Sequence, residues 1–318
     1  MRLGLLSTAQ INHCILEAAA ASSELEVVAV ASRDQPRADA YARTWGIPRA
    51  YGTYEALLQD DAVDAIYVSL PNSMHCAWSI RALEAGKHVL CEKPMSSSPA
   101  EVAAVFDVAE RCGRICMEAF MWRHNPQTRR LEQLIADGVL GELRLVRSAF
   151  TYLMIDGDGT VQMRPELDGG ALMDIGCYCI SATRLVAGEP IAANGFDVQS
   201  STGVDMRTVA SLTLPDGVLA QFPCAFDLPE RNEIEVLGSE GSLRIADPWH
   251  CQSPGIELVR GGASERIEIA PDDSYRLQLE NLARAIRGEE APLLGRADAV
   301  GQARAIELVR RATREVSP

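Results

Sequence analysis

The chain has 318 residues, 47% of them hydrophobic and 23% charged, with a formal net charge of −14. Such a length suits two domains with a sizeable core, and the acidic balance excludes nucleic acid and an anionic membrane surface as partners. No apolar run approaches the ~20 residues of a membrane span. The nine cysteines and five histidines are scattered without metal-site spacing, so a cytoplasmic protein with reduced thiols and no metal is expected.

Residues 1–120 alternate short apolar runs with amphipathic helical patterns, the signature of strands joined by helical crossovers into a parallel sheet. Strands are expected at Arg2–Leu6, Val27–Ala31, Ala65–Ser69, His88–Cys91 and Ile115–Glu118. The run Met1–Leu6 is too short for a signal peptide before polar Ser7 and Thr8, and reads as the first strand. Arg37–Trp45, His75–Ala85 and Pro99–Arg111 carry the helical period, and Gly86 and Gly113 stand where helices stop.

Beyond Gly141 the texture changes. Strands at Glu142–Tyr152, Thr208–Leu214, Val218–Phe226, Asn232–Leu237, Ser242–Ile245, Ile256–Val259 and Arg266–Ile269 follow one another. Short turns such as Pro215-Asp216-Gly217 separate several of them, which predicts an antiparallel sheet. A helix at Gly170–Val186 interrupts the series, and two more, Ser274–Arg287 and Arg296–Arg314, close the chain. The expected architecture is therefore an α/β Rossmann-type parallel sheet over residues 1–120, then an α+β domain with a large open antiparallel sheet over 121–318. The second domain is expected to bind substrate and form oligomers, with the C-terminal helix available to pack back on the first.

Open parallel sheets bind ligands outside the carboxyl ends of their strands. After the first strand, a Gly-x-Gly-x-x-Gly nucleotide turn is replaced by Ser7-Thr8-Ala9-Gln10-Ile11-Asn12, without glycine. Small residues at 7 and 9 still admit a close backbone, and a helix starting near Gln10 offers its N–H groups to a pyrophosphate. After the second strand stand Ser32 and Arg33, with Arg37 one helical turn on. An NAD site ordinarily has an acid there for the ribose 2′-hydroxyl; a serine hydroxyl and guanidinium forks suit a 2′-phosphate, which favours NADP over NAD. Ser69-Leu70-Pro71-Asn72-Ser73-Met74-His75 forms the rim after the strand at Ala65–Ser69, where Asn72 and His75 are placed for the nicotinamide ribose. Asn72 or Ser73 is equally placed to cap the next helix.

The run Cys91-Glu92-Lys93-Pro94 ends a buried strand in a lysine and stops it with proline, aiming an ammonium into the same crevice. In the second half, Gly169-Gly170 precede a helix on which Asp174 and Tyr178, four apart, share a face. A tyrosine hydroxyl titrates near ~10, too high for a base at neutral pH, but a nearby ammonium favours the phenolate. Lys93 is the supplier.

With these motifs assembled, the chain resembles the glucose–fructose oxidoreductase/inositol dehydrogenase (Gfo/Idh/MocA) family over nearly its whole length. The carriers are Glu92-Lys93-Pro94 with the lead-in Ala85–Leu90, Glu118-Ala119-Phe120-Met121-Trp122-Arg123, and Gly169–Gly176. Tyr178 and the segment Met117–Arg123 are similar to the branch of NADP-dependent dihydrodiol dehydrogenases and D-xylose 1-dehydrogenases. The resemblance implies Lys93 and Tyr178 as the reacting pair, oriented by Asp174. It implies a cofactor lined by Ser7, Thr8, Ala9, Gln10, Ile11, Ser32, Arg33, Asn72 and His75, with Trp122 and Arg123 at its nicotinamide end; Arg37, Leu70 and Glu92 join this set. It also implies a homodimer through the open face of the antiparallel sheet. Two departures stand out: the missing first-turn glycines, and Asp168 where the glycine run before the helix usually begins.

The expected activity is hydride transfer between nicotinamide and a cyclic polyol, aldose or dihydrodiol carbon, with Tyr178 taking the hydroxyl proton and Tyr152 and Arg164 contacting substrate. Two rivals remain at this level: a non-catalytic dinucleotide-binding regulator, and a redox-neutral glycoside-processing enzyme with tightly bound NAD.

Overall fold

Six short apolar strands build the first sheet of the computed structural model, which describes residues 1–316 apart from Asp156 and Asp158. They are β1 (Arg2–Leu5), β2 (Glu26–Ala31), β3 (Arg49–Tyr51), β4 (Ala65–Val68), β5 (His88–Glu92) and β6 (Cys116–Ala119). Their order is β3-β2-β1-β4-β5-β6, and every pair is parallel. The order reverses between β1 and β4, which opens a crevice at the carboxyl ends of those two strands. Leu3, Leu5, Val30, Ile66, Val89 and Leu90 are fully buried. Both faces are covered, so the strands read as continuous apolar runs and not as alternations.

Helices α1 (Asn12–Ala20), α2 (Gln35–Trp45), α3 (Tyr54–Leu58), α4 (His75–Glu84) and α5 (Pro99–Cys112) make the crossovers. Helix α2 starts at Asp34, whose carboxylate accepts the Arg37 N–H at 2.9 Å, and stops at Gly46 in the left-handed region. Ser98 and Gly113 bound α5 in the same way. The chain divides into two compact units, and Tyr275–Val300 belongs with Met1–Met121. Ion pairs tie it there, Arg287 to Glu24 at 2.7 Å and Arg296 to Asp107 at 2.6 Å.

The second unit holds Trp122–Ser274, beginning with helix α6 (Pro126–Ala136), and the chain from Gly301 on. Its strands are β7 (Leu143–Leu153), β8 (Ala192–Gln199), β9 (Asp205–Thr213), β10 (Leu219–Ala225), β11 (Asp227–Gly238), β12 (Gly241–Ile245), β13 (Gly255–Arg260), β14 (Ala263–Glu268) and β15 (Thr313–Glu315). They form one sheet in the order β14-β13-β12-β11-β7-β10-β9-β8-β15. The pairing is antiparallel except for β7 with β10 and β8 with β15. Phe222, Val236 and Cys224 are fully buried, on the face that α7 (Cys177–Ala187) packs against, whereas Phe196, Val209 and Leu219 remain 54%, 53% and 52% exposed.

Three strands were not expected from the sequence: β3, β8 and β15. Of the eight residues of β8 only Gly195 is buried, so no apolar alternation marked it; pairing with β9 makes it a strand. The closing helix was expected to reach Arg314 but ends at Ala312, and Thr313–Glu315 pairs with Gly195–Asp197 instead. The helix expected over Gly170–Val186 opens as a wide π turn, Leu172–Gly176, before α7. Among the described residues no disulfide joins any of the nine cysteines, and burial pushes the Cys76 thiol up to about 12. Among the described residues no group of three or more His, Cys, Asp or Glu is arranged for a metal ion, and no helix is long and apolar enough to cross a membrane.

Candidate active site

The glycine-free first turn is held by side-chain bonds. Ser7 Oγ donates to the Ser69 carbonyl at 2.9 Å, lies 2.8 Å from Ser69 Oγ, and accepts the Ala9 N–H at 3.0 Å. Asn12, fully buried, donates from Nδ2 to the Ser7 carbonyl at 2.8 Å. Ser7 thus fastens the turn after β1 to the turn after β4, on the two sides of the strand-order reversal. Ala9, Gln10 and Ile11 make the turn that leads into α1. Asn12 was not among the expected site residues, because no nucleotide motif singles it out.

Ser32 is buried at the end of β2, and Arg33 and Arg37 are exposed. Arg37 Nε donates to Thr8 Oγ1 at 2.8 Å, which lays a guanidinium along the first turn. Burial pushes the Tyr54 hydroxyl up, and the charges of Arg33 and Arg37 both oppose it, so the two cations share one neighbourhood. The carboxylate of neighbouring Asp34 is engaged by the α2 backbone. Two guanidiniums, a serine hydroxyl and no acid at position 32 form a donor set that fits a ribose 2′-phosphate.

Strand β5 delivers Glu92 and Lys93, and the Lys93–Pro94 peptide is cis. Glu92 Oε2 accepts the Lys93 N–H at 3.1 Å, and buried Glu118 accepts the Met95 N–H through Oε1 at 2.7 Å. His75, only 1% exposed, has its ring nitrogens against two carbonyls, Leu70 at 2.7 Å and Pro94 at 2.9 Å. Its imidazole was expected at the nicotinamide ribose; here it joins the loops after β4 and β5. Asn72 opens the 3₁₀ turn before α4. Lys93 therefore sits in a loop braced by Glu92, Glu118 and His75.

In the second unit, Tyr178 on α7 is 7% exposed and packed by aromatic rings. Phe150 meets it edge-on at 5.4 Å and Trp249 at 5.7 Å between centroids. Trp249 is anchored by its Nε1–H on the Ala149 carbonyl at 3.1 Å. Trp122, expected beside the nicotinamide, has its ring fully buried edge-on against Trp249 at 5.2 Å. Arg123 is likewise buried and reaches Ser181 Oγ on α7 at 3.4 Å. Tyr152 and Asp174 are brought together, hydroxyl to Oδ2 at 3.4 Å. Arg164 is exposed and paired with Glu166 at 2.7 Å.

The π turn carries Asp174, so the simple four-residue face shared with Tyr178 is shifted by the extra residue in that turn. Gly170, at φ +109°, permits this entry: a Cβ there would lie 2.0 Å from Asp205 Oδ1. Asp168 adopts φ 55°, the left-handed conformation that glycine usually supplies. Asp205 Oδ2 accepts the Leu172 N–H at 2.7 Å and the Thr208 hydroxyl at 2.9 Å, seating the start of the π turn. No motif marked Asp205 in the sequence.

Burial pushes the Asp205 carboxyl up from its ordinary 3.8 to about 6, against the bonds from Leu172 and Thr208. The folded protein then holds this proton more firmly than the unfolded chain. The stabilisation is complete below about pH 4 and lost as pH rises through about 6, ~3 kcal/mol in all. Asp205→Asn should flatten that part of the stability profile, measured by urea unfolding at pH 4.5 and 7.5; an unchanged difference between the two pH values contradicts it.

Residues 4–120 match the family model described as an oxidoreductase family with an NAD-binding Rossmann fold, and residues 128–244 match the GFO/IDH/MocA C-terminal domain. The chain belongs to the Gfo/Idh/MocA family of oxidoreductases. It is 39% identical over 314 residues to D-xylose 1-dehydrogenase (NADP(+)) 2 of Haloferax volcanii, covering 97% of this chain and 96% of that protein. Trans-1,2-dihydrobenzene-1,2-diol dehydrogenase of Oryctolagus cuniculus is 35% identical over 81% of this chain and 78% of its own length. A 3-ketoreductase from Actinomadura kijaniata, solved with NADP and TDP-benzene, superposes with a TM-score of 0.92 at 32% identity, over 100% of this chain and 99% of that one. These Gfo/Idh/MocA relatives are dehydrogenases and reductases of sugars and dihydrodiols, the branch expected from Tyr178 and the segment Met117–Arg123.

Proposed function

We propose that the enzyme transfers hydride between NADP and a hydroxyl-bearing carbon of an aldose, cyclic polyol or arene dihydrodiol, with Tyr178 and Lys93 moving the proton. The observation that carries this reading is the bracing of Lys93 at the carboxyl end of β5 by Glu92, Glu118 and His75. The turn Ser7–Ile11 and the α1 N-terminus would hold the pyrophosphate, and Ser32, Arg33 and Arg37 the 2′-phosphate. Leu70, Asn72, Glu92 and Lys93 would border the nicotinamide half. When bound, the cofactor supplies the hydride acceptor or donor.

The remaining work falls to side chains. Tyr178 takes the proton of the reacting hydroxyl in oxidation and returns it in reduction. The Lys93 ammonium favours the phenolate form that this requires. Phe150 and Trp249 fix the phenol ring, and Asp174 with Tyr152 supplies hydrogen-bonding partners for neighbouring substrate hydroxyls.

A spectrophotometric screen for NADPH formation over pentoses, hexoses and arene dihydrodiols tests the reading. Turnover of any of these supports it. Cofactor binding with no turnover points to a regulator, and non-exchanging NAD in the purified protein points to a redox-neutral glycoside chemistry. We further propose a cytoplasmic homodimer. Exposed Phe196, Val209 and Leu219 on the open sheet face support the dimer, and cysteines without disulfides among the described residues suit a reducing compartment. Sedimentation should return a particle of twice the 34.5 kDa chain mass; a monomer at micromolar concentration overturns the dimer.

A further inference from the structure

Strand β4 is buried from Ala65 to Val68, and a hydroxyl in such a strand is costly unless it finds a partner. Tyr67 is fully buried, and its hydroxyl donates to the Glu92 carboxylate. The other Glu92 oxygen accepts the backbone N–H of Lys93 at 3.1 Å. Tyr67 stands opposite Leu90 in the β4–β5 register. Its hydroxyl therefore reaches along the neighbouring strand to the residue where β5 ends. Burial, Glu92, Tyr275 and Cys14 all push the Tyr67 hydroxyl up, so it stays protonated and can only donate to the carboxylate.

We propose that Tyr67 is a positioning residue of the reaction, acting through Glu92 to fix the backbone from which the Lys93 ammonium is delivered. The Glu92 carboxylate is held at both ends, one oxygen by a rigid phenol in the sheet and the other by the peptide N–H of the lysine itself. Remove the phenol oxygen and the carboxylate can turn toward water, which leaves the Lys93 N–H without a fixed acceptor. Glu118 and His75 brace the loop beyond Lys93, at Met95 and Pro94. On the side before Lys93 the relay adds to the pairing of Glu92 with Ala119 and holds the Lys93 N–H itself. The inference rests on Lys93 being the catalytic lysine.

Tyr67→Phe keeps the ring and removes one oxygen. With the substrate found in the screen, kcat should fall about 10- to 100-fold, the effect of a small displacement of a reacting group. The Michaelis constant for the substrate and the dissociation constant for NADP should stay within about twofold. Glu92→Ala should lower kcat at least as far, and adding Tyr67→Phe to it should change kcat by less than about twofold, because the two act in series. Equal fractional losses from Tyr67→Phe in the wild-type and Glu92→Ala backgrounds overturn the relay. The same holds for wild-type kcat in Tyr67→Phe. Should Tyr67→Phe fail to fold, Glu92→Gln tests the relay from its other partner, since an amide cannot accept from both the Tyr67 hydroxyl and the Lys93 N–H; wild-type kcat in that variant also overturns the relay. Lys93→Met separates the two levels of the argument. If it is fully active, the catalytic reading of Lys93 fails. If it is inactive while Tyr67→Phe is unimpaired, only the relay fails.

Discussion

Lys93→Met should lower kcat by about 10²- to 10⁴-fold, the range that positioned proton transfer contributes, while NADP binding stays measurable by fluorescence titration. Methionine keeps an unbranched stem of similar length and removes only the ammonium. The loop itself should survive, because its bonds run through the Lys93 backbone N–H, the Met95 N–H and the Pro94 carbonyl, none of which uses Nζ. Tyr178→Phe should cost the same order in kcat, with the ring still held by Phe150 and Trp249. The two losses should not multiply in the double variant, since groups that act as a unit lose their effect together. Wild-type turnover in Lys93→Met, or fully multiplicative losses, would defeat the pairing.

What could be read in the sequence follows from how local each signal is. The buried strands of the first unit announce themselves as apolar runs, and the helix ends as Asp34, Gly46, Ser98 and Gly113, because capping is decided by one or two residues. The place of Lys93 just past the end of β5 was legible the same way, as a lysine at a strand end stopped by proline. The packing of Trp122 was not legible, because a tryptophan in a motif looks the same whatever its ring meets, here the buried Trp249 more than a hundred residues on. For Arg164 the exposed partner Glu166, two residues away, came from the fold and not from any motif. Asp205 and Tyr67 went unnoticed, since each acquires meaning only through a neighbour supplied by a different element. Strand β8 has a polar, glycine-bearing sequence, and its strand character is conferred by its neighbour β9.

Ser32→Asp combined with Arg33→Glu should raise the Michaelis constant for NADP by about 10²- to 10³-fold. Two charge-assisted hydrogen bonds are lost, each ~1.5–3 kcal/mol, and like charge is set against the phosphate. The constant for NAD should move only a few-fold, because a carboxylate at the end of β2 can accept from a ribose 2′-hydroxyl. Arg37 keeps the NADP loss from being larger. Its guanidinium is tethered to Thr8 and remains beside the first turn in the variant, so part of the attraction for the phosphate survives. Raising the salt from 50 to 500 mM should erode NADP affinity in the wild type more than in the variant, since exposed Arg33 is within reach of screening. Equal changes for the two nucleotides would show that the end of β2 does not read the ribose at all. The choice of cofactor would then have to lie with Arg37 and the turn Ser7–Ile11 along which its guanidinium is laid.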